Sequence, residues 1–278
     1  KSTYTKIFPT AYVSYTPNDN NVFSLNYGKR ISRPSYNLLN PFKWVSSPYS
    51  YLEGNPFLQP AFAQNIEFEY AYKENIITSV YFSNLKNGFE QVIIVNPETN
   101  ITQIIPRNFL TNKMLGINQT LIFEPFKFLR STFYSDIYYS STNSTIPVTL
   151  NFLDGWNGEF SMSNDLFLNK NKTFLFNIAY SYTTKGVDNL DKNSQFNQLD
   201  ASIKLLLLNK KLIIGLSGND LLSSSRVTYT SFSNGIKTSY RNFYDTRYFR
   251  LSIGYNFGKN IPTKEDRNKN TEEYNRVN

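Results

Sequence analysis

The chain contains neither His nor Cys among its 278 residues. That removes Ser-His-Asp triads, Cys-His dyads, disulfide frameworks and Cys/His metal sites. Carboxylates are what remains for acid–base work. Glu67 and Glu69 stand two residues apart, which puts both on one face of an extended strand. Such a pair could serve as general acid and base, or it could be solvated by water and by a neighbouring Arg30. The solvated reading is the better supported, so no catalytic residue and no metal ligand is assigned. A second concentration of chemistry lies between Arg33 and Pro60. There Tyr36, Phe42, Trp44, Tyr49 and Tyr51 accompany Arg33, Lys43 and Glu53. Aromatic faces in a loop can stack on a flat or sugar-like ligand and shield it from water. They can equally pack the loop onto the body of the protein. Arg30, Arg33, Tyr36, Trp44, Tyr49, Tyr51 and Glu53 are the candidate ligand contacts. Gly54-Asn55-Pro56 is a turn signal, and no glycine-rich phosphate loop is present. Lys and Arg number 29 against 21 Asp and Glu, a net charge of +8. The excess is dispersed, so it suits steering of anions better than nucleic-acid binding.

These residues must be held by strands. Residues 247–257 alternate: Phe249, Leu251, Ile253, Tyr255 and Phe257 are apolar, while Arg250, Ser252, Gly254 and Asn256 are not. The same period of two recurs at Phe23/Leu25/Tyr27, Ile66/Phe68/Tyr70/Tyr72 and Phe174/Phe176/Ile178/Tyr180/Tyr182. Eleven residues at ~3.4 Å each, tilted by ~45°, rise about 26 Å, the height of a membrane barrel's apolar band. Strands of soluble sheets average about 5–6 residues. The chain is polar on average, and no apolar run approaches the ~20 residues of a membrane helix. It starts without the apolar core of a signal peptide. Short polar turns (17–21, 73–75, 124–127, 169–172, 209–211) alternate with longer connections (32–63, 96–100, 140–158, 185–195, 219–235), the last carrying an Asn234-Gly235 hairpin signal. The expectation is an all-β, transmembrane antiparallel β-barrel. Phe249, Leu251, Ile253, Tyr255 and Phe257 would face lipid, with inner positions polar. About eleven strands are predicted: 8–16, 21–31, 63–73, 75–95, 101–124, 127–141, 158–169, 172–184, 196–208, 211–230 and 236–257. Bacterial single-chain barrels have even counts, so residues 1–258 read as the C-terminal portion of a larger barrel. Residues 259–278 read as a polar periplasmic tail.

The run Tyr27-Gly28-Lys29-Arg30-Ile31-Ser32-Arg33-Pro34-Ser35-Tyr36-Asn37-Leu38-Leu39-Asn40-Pro41 is followed by Gly54-Asn55-Pro56-Phe57-Leu58-Gln59-Pro60. Together they resemble TonB-dependent outer-membrane receptors, most of all their Bacteroidetes-type β-barrel branch. Gly54, Asn55, Pro56, Leu58 and Pro60 carry the return half of the motif, and Ala61 stands where a Glu is usual. Asn108 with Leu115–Asn118, Gly218-Asn219-Asp220-Leu221 and the terminal strand 250–258 resemble further marks in order. The resemblance implies a barrel of about 22 strands with an N-terminal plug, importing a large scarce ligand such as a siderophore or glycan. It implies the bacterial outer membrane as the location, and no cofactor. Implied partners are outer-membrane lipid and lipopolysaccharide, the plug, TonB and a surface lipoprotein. Two alternatives stand beside it: a plug-less barrel acting as passive pore or surface adhesin, and a soluble β-rich binding module.

Overall fold

The computed structural model describes residues 6–242 and 245–257; the expected tail at 259–278 lies outside them. The elements are, in order, β1 Thr10–Asn18, β2 Asn21–Ser32, a single helical turn α1 Tyr36–Leu39, β3 Trp44–Ser47, β4 Ser50–Leu52, β5 Ala61–Tyr72, β6 Ile76–Val95, β7 Thr102–Phe126, β8 Leu129–Ser144, β9 Phe152–Phe167, β10 Phe174–Thr183, β11 Gly186–Asp188, β12 Asp191–Asn193, β13 Phe196–Leu207, β14 Leu212–Asn219, β15 Thr228–Ser233, β16 Ile236–Arg241 and β17 Tyr248–Tyr255. Eleven of them form one antiparallel meander, β1-β2-β5-β6-β7-β8-β9-β10-β13-β14-β17. Sequential hairpins of this kind build up-and-down barrels. Among the described residues β1 and β17 are the two edges of the meander, each paired on one side only.

Register decides which side chains share a face. Leu25 pairs with Phe68, Phe68 with Val80, Val80 with Ile117, and Ile117 with Ile137. One position along, Ser24 pairs with Glu69, Glu69 with Ser79, Ser79 with Asn118, and Asn118 with Asp136. One face is therefore apolar and the other polar across neighbouring strands. Their burial is the reverse of a water-soluble sheet: Leu25, Phe68, Val80 and Ile117 are exposed, whereas Ser24 and Ser79 are buried, Ser79 at 1%. A belt of bare hydrocarbon this wide is unfavourable in water and satisfied by lipid. We call the apolar face outer and the polar face inner.

Short connections lie at one end of the meander and long ones at the other, as the turn signals predict. The turns after β5 and β13 place Lys73, Glu74, Asn209 and Lys210 at positive φ, the conformation tight hairpins require. The long-connection end departs from expectation in three ways. First, β8 and β9 continue to Ser144 and from Phe152, so residues 140–158 are mostly strand. Second, β14 stops at Asn219 and β17 resumes at Tyr248, so 211–230 and 236–257 are not two long wall strands. The residues between make the hairpin β15–β16, turned at Asn234 and Gly235 with φ of 52° and 74°. Third, 185–195 folds into the hairpin β11–β12, and these four strands join in a second small sheet, β11-β12-β15-β16. The local Asn-Gly signal is right about the turn; which strands it joins is set by contacts far away in sequence.

A folded cap on the polar wall

The small sheet closes over a hydrophobic core made of Val92, Phe109, Leu110, Leu153, Val187 and Leu190. It is a cap rather than a set of loose loops. Its contributors come from four strands, β6, β7, β9 and β11, and from Leu190 in the β11–β12 turn, because β6 and β7 run 20 and 25 residues and rise past their neighbours. Val187 of β11 sits where a Cβ on Gly155 of β9 would come within 3.1 Å. Gly155 is on the inner face, paired with Ser140, so the β11–β12 hairpin leans onto the polar wall. The Val187 amide donates to Asn157 Oδ1 at 2.9 Å, and Asn189 Nδ2 donates to Glu90 Oε1 at 2.5 Å. A cavity of about 300 Å³ is left between hairpin and wall, lined by Asn112, Met114, Tyr138, Ser140, Val187 and Asn189 among others. Asn112 Nδ2 donates to Ser140 Oγ and Thr142 Oγ1 at 3.0 and 2.7 Å, which satisfies buried polar groups at the cavity floor. Below it, Tyr81 lies across Gly116 and donates to both Asp136 carboxylate oxygens at 3.0 and 3.1 Å, tying β6 to β8 over β7.

The two halves of the loop motif meet. The Gly54 amide donates to Asn40 O at 3.0 Å and the Asn55 amide to Leu38 O at 2.7 Å. A Cβ on Gly54 would sit 2.4 Å from Asn40 O, so only glycine fits this crossing. Asn55 Nδ2 then donates to Pro106 O at 3.0 Å, and Leu58 is buried. Asn108 accepts from the Gln59 amide at 2.8 Å and donates to Gln59 O and Asn87 O. Asn87 Nδ2 in turn donates to Pro60 O at 2.9 Å. Gly54, Asn55, Leu58 and Pro60 therefore form a clasp that binds the β2–β5 connection to the β6–β7 hairpin. Pro56 lies at its exposed turn.

The candidate ligand contacts divide into three groups. Trp44 and Tyr49 sit on the β3–β4 hairpin, 64% and 66% exposed, with Phe42 edge-on to Trp44 at 5.4 Å. Tyr51 and Glu53 are instead tied down beside them. β4 runs parallel to the start of β7, pairing Tyr51 with Gln103. Glu53 accepts from Gln103 Nε2 and pairs with Lys43 Nζ at 3.9 Å, while Lys43 lies 4.6 Å from the Tyr51 ring. Arg33 and Tyr36 flank the start of α1, Arg33 half-buried and Tyr36 50% exposed. Arg30 is elsewhere, on the inner wall of β2, sharing a recess of about 330 Å³ with Glu67. Glu67 and Glu69 share the inner face as their spacing requires, and Ser79 Oγ lies 3.4 Å from Glu69. Phe249, Leu251, Ile253, Tyr255 and Phe257 are all exposed; the first three pair with Gly218, Leu216 and Ile214 on the apolar face. Another cavity, about 600 Å³, lies at the short-turn end between Glu124–Phe128 and Phe167–Lys172, remote from the cap.

Sequence reasoning missed Glu90, Asn112, Asn157 and Val187. The period of two assigns the wall residues to the inner face, but no local signal says that a connection folds back onto them. No curated protein matches the chain. A family model described as "Outer membrane protein beta-barrel family" matches residues 1–255.

Proposed function

Because the chain belongs to the outer membrane protein beta-barrel family, and so sits in the bacterial outer membrane, we propose that it supplies barrel wall and ligand-catching cap to a TonB-dependent importer of a large scarce ligand. The observation that carries this reading is the cap. A passive pore gains nothing from a four-stranded sheet with its own core leaning onto its inner wall. A receptor that must recognise one ligand before admitting it gains a rigid recognition surface. Trp44, Tyr49 and Phe42 would form the apolar part of that surface, with Tyr36 and Arg33 beside them. The polar inner wall, including Arg30 and Glu67, would line the route and meet a plug. In this reading the free edges of β1 and β17 pair with further strands of a larger barrel. The mechanism is transport, with no bond made or broken by the chain, and the exposed apolar belt disfavours the soluble binding module. Proteoliposomes carrying the full-length protein test the proposal. Swelling in arabinose is expected to be absent, and a purified periplasmic TonB domain is expected to bind. Free permeation of arabinose with no TonB binding would establish the passive-pore reading instead.

A further inference from the structure

The cavity between the β11–β12 hairpin and the inner wall has a one-sided hydrogen-bonding character. Two consecutive rows of the wall make its floor, Ala63–Leu85–Asn112 and Ser83–Met114–Ser140. Val187, Asp188 and Asn189 of the hairpin roof it, leaving about 300 Å³. Leu85, Met114 and Val187 supply apolar surface, while the polar groups mostly offer acceptors. Asn112, 6% exposed, commits its amide nitrogen to Ser140 and Thr142, so its carboxamide oxygen is what it has left to offer. Ser83 donates its hydroxyl to Asn65 Oδ1 at 2.7 Å and keeps its lone pairs. Asp188 adds a carboxylate, which only accepts when ionised. More negative charge stands close by. Asn189 is bonded to Glu90, whose carboxyl burial, Asp188 and Asp191 hold above its ordinary value against that hydrogen bond. From the wall, Glu159 and Asp136 act on Tyr138, another lining residue. Lys192, opposite Val187 in the hairpin, is exposed and stands outside the lining.

We propose that this recess binds the primary ammonium group of a short alkylamine. Such a group carries three N–H donors and no acceptor, which matches the acceptors of Asn112, Ser83 and Asp188. Its alkyl chain meets Leu85, Met114 and Val187, and the aromatic ring of Tyr138 favours a cation. The cap displaces water from above the site, so attraction to Asp188 is stronger than in open solvent. Among the described residues no group of acidic side chains converges closely enough to hold a metal ion, so the cation that fits is organic. A neutral polyol of the same size brings donors but no charge for Asp188 and Glu90 to meet. The inference rests on the docked cap and not on the importer reading.

The test is calorimetric titration of the full-length protein in detergent with 1,5-diaminopentane, and with 1,5-pentanediol as its uncharged counterpart. The diamine is expected to bind saturably and the diol not to bind. Asp188→Asn is expected to weaken diamine binding roughly tenfold, the effect of losing one charge-assisted hydrogen bond. Ala63→Leu, which fills the floor of the recess, is expected to abolish binding. Glu124→Gln removes a carboxylate at the short-turn end and is expected to bind as the parent does. Heat-modifiable gel mobility and slow amide exchange at Val187 confirm that wall and cap are intact in each variant. If Ala63→Leu displaces the cap, Asp188→Asn carries the comparison. No saturable binding of the diamine by the parent overturns the proposal, as does equal binding of the diol. Unchanged binding in the folded Asp188→Asn variant overturns it too, and so does an equal loss in Glu124→Gln, which would make the effect one of net charge. Displacement by millimolar magnesium at constant ionic strength overturns it as well, by marking a general cation site.

Discussion

Gly54 has no room for a side chain, because Asn40 O and Leu38 O close over its α-carbon. Gly54→Ala forces backbone apart from backbone, with no flexible group to absorb the clash, at a cost of about 1–3 kcal/mol. The strain falls on the clasp alone. Limited proteolysis is expected to cut within residues 33–60 of the variant while leaving the barrel strands intact. Gly116 answers a different need: the Tyr81 ring occupies the space a methyl would take, within 2.5 Å. Faces can be tested residue by residue too. Ile117 is exposed in mid-belt on a strand paired on both sides. Ile117→Arg is expected to cost about 2–4 kcal/mol in urea-titrated folding into phospholipid vesicles, as is Ile253→Arg if that residue is equally deep in lipid. Asn118→Arg, one position along on the inner face, is expected to cost under 1 kcal/mol, about the size of an ordinary surface change. Equal costs at 117 and 118 would remove the assignment of faces.

At the scale of elements, two carboxylates outside the membrane band hold the cap connections in opposite senses. Asp220, 1% exposed, terminates β14. Burial pushes its carboxyl up, but the Thr246 hydroxyl at 2.5 Å, the Ser224 and Ser225 amides and the Arg226 charge together hold it below its ordinary 3.8. Its contribution is therefore fully present above 3.8 and is lost as the pH falls through its lowered value. Asp191, in β12, is pushed above 3.8 by burial and by Asp188, against a hydrogen bond with Ser231 that lowers it. A raised carboxyl favours the protonated docked state, so the β11–β12 hairpin is expected to grip more tightly as the pH falls from neutral through that raised value. Amide exchange should show slower opening at Val187 in mild acid than at pH 7. It should show faster opening around Ser224 only once the pH drops below the ordinary carboxylate range. In an Asp191→Asn variant the first effect is expected to shrink; if it persists unchanged, Asp191 is not its source.

For the whole molecule the defining quantity is where polarity lies. Apolar side chains project from one face of an eleven-strand meander, and Ser, Asn and Asp are withdrawn on the other. Such a sheet is satisfied only when hydrocarbon covers the outside and water or protein fills the inside. The protein is expected to need detergent or lipid to stay monodisperse. Unheated samples in SDS should migrate differently from boiled ones, and identical migration would count against a closed barrel.

The number and order of the wall strands, their inside-out faces and the alternation of short and long connections were legible in the amino-acid sequence, because strand periodicity is local, but the extents of the last two, β14 and β17, were not. Phe249, Leu251 and Ile253 declare a face by spacing alone. The positions of the Gly54-Asn55-Pro56 motif were legible as well, but not their task, since the clasp depends on Asn108, which is 53 residues beyond Asn55. The cap was hidden for the same reason. Residues 185–195 and 219–247 carry turn signals and modest alternation, and nothing in them names Val92, Phe109 or Leu153 as the surfaces they will bury. Local pattern sets which side of a strand meets oil. Only the folded chain decides which distant segments exclude water from one another, because that contact exists only after the wall has placed them side by side.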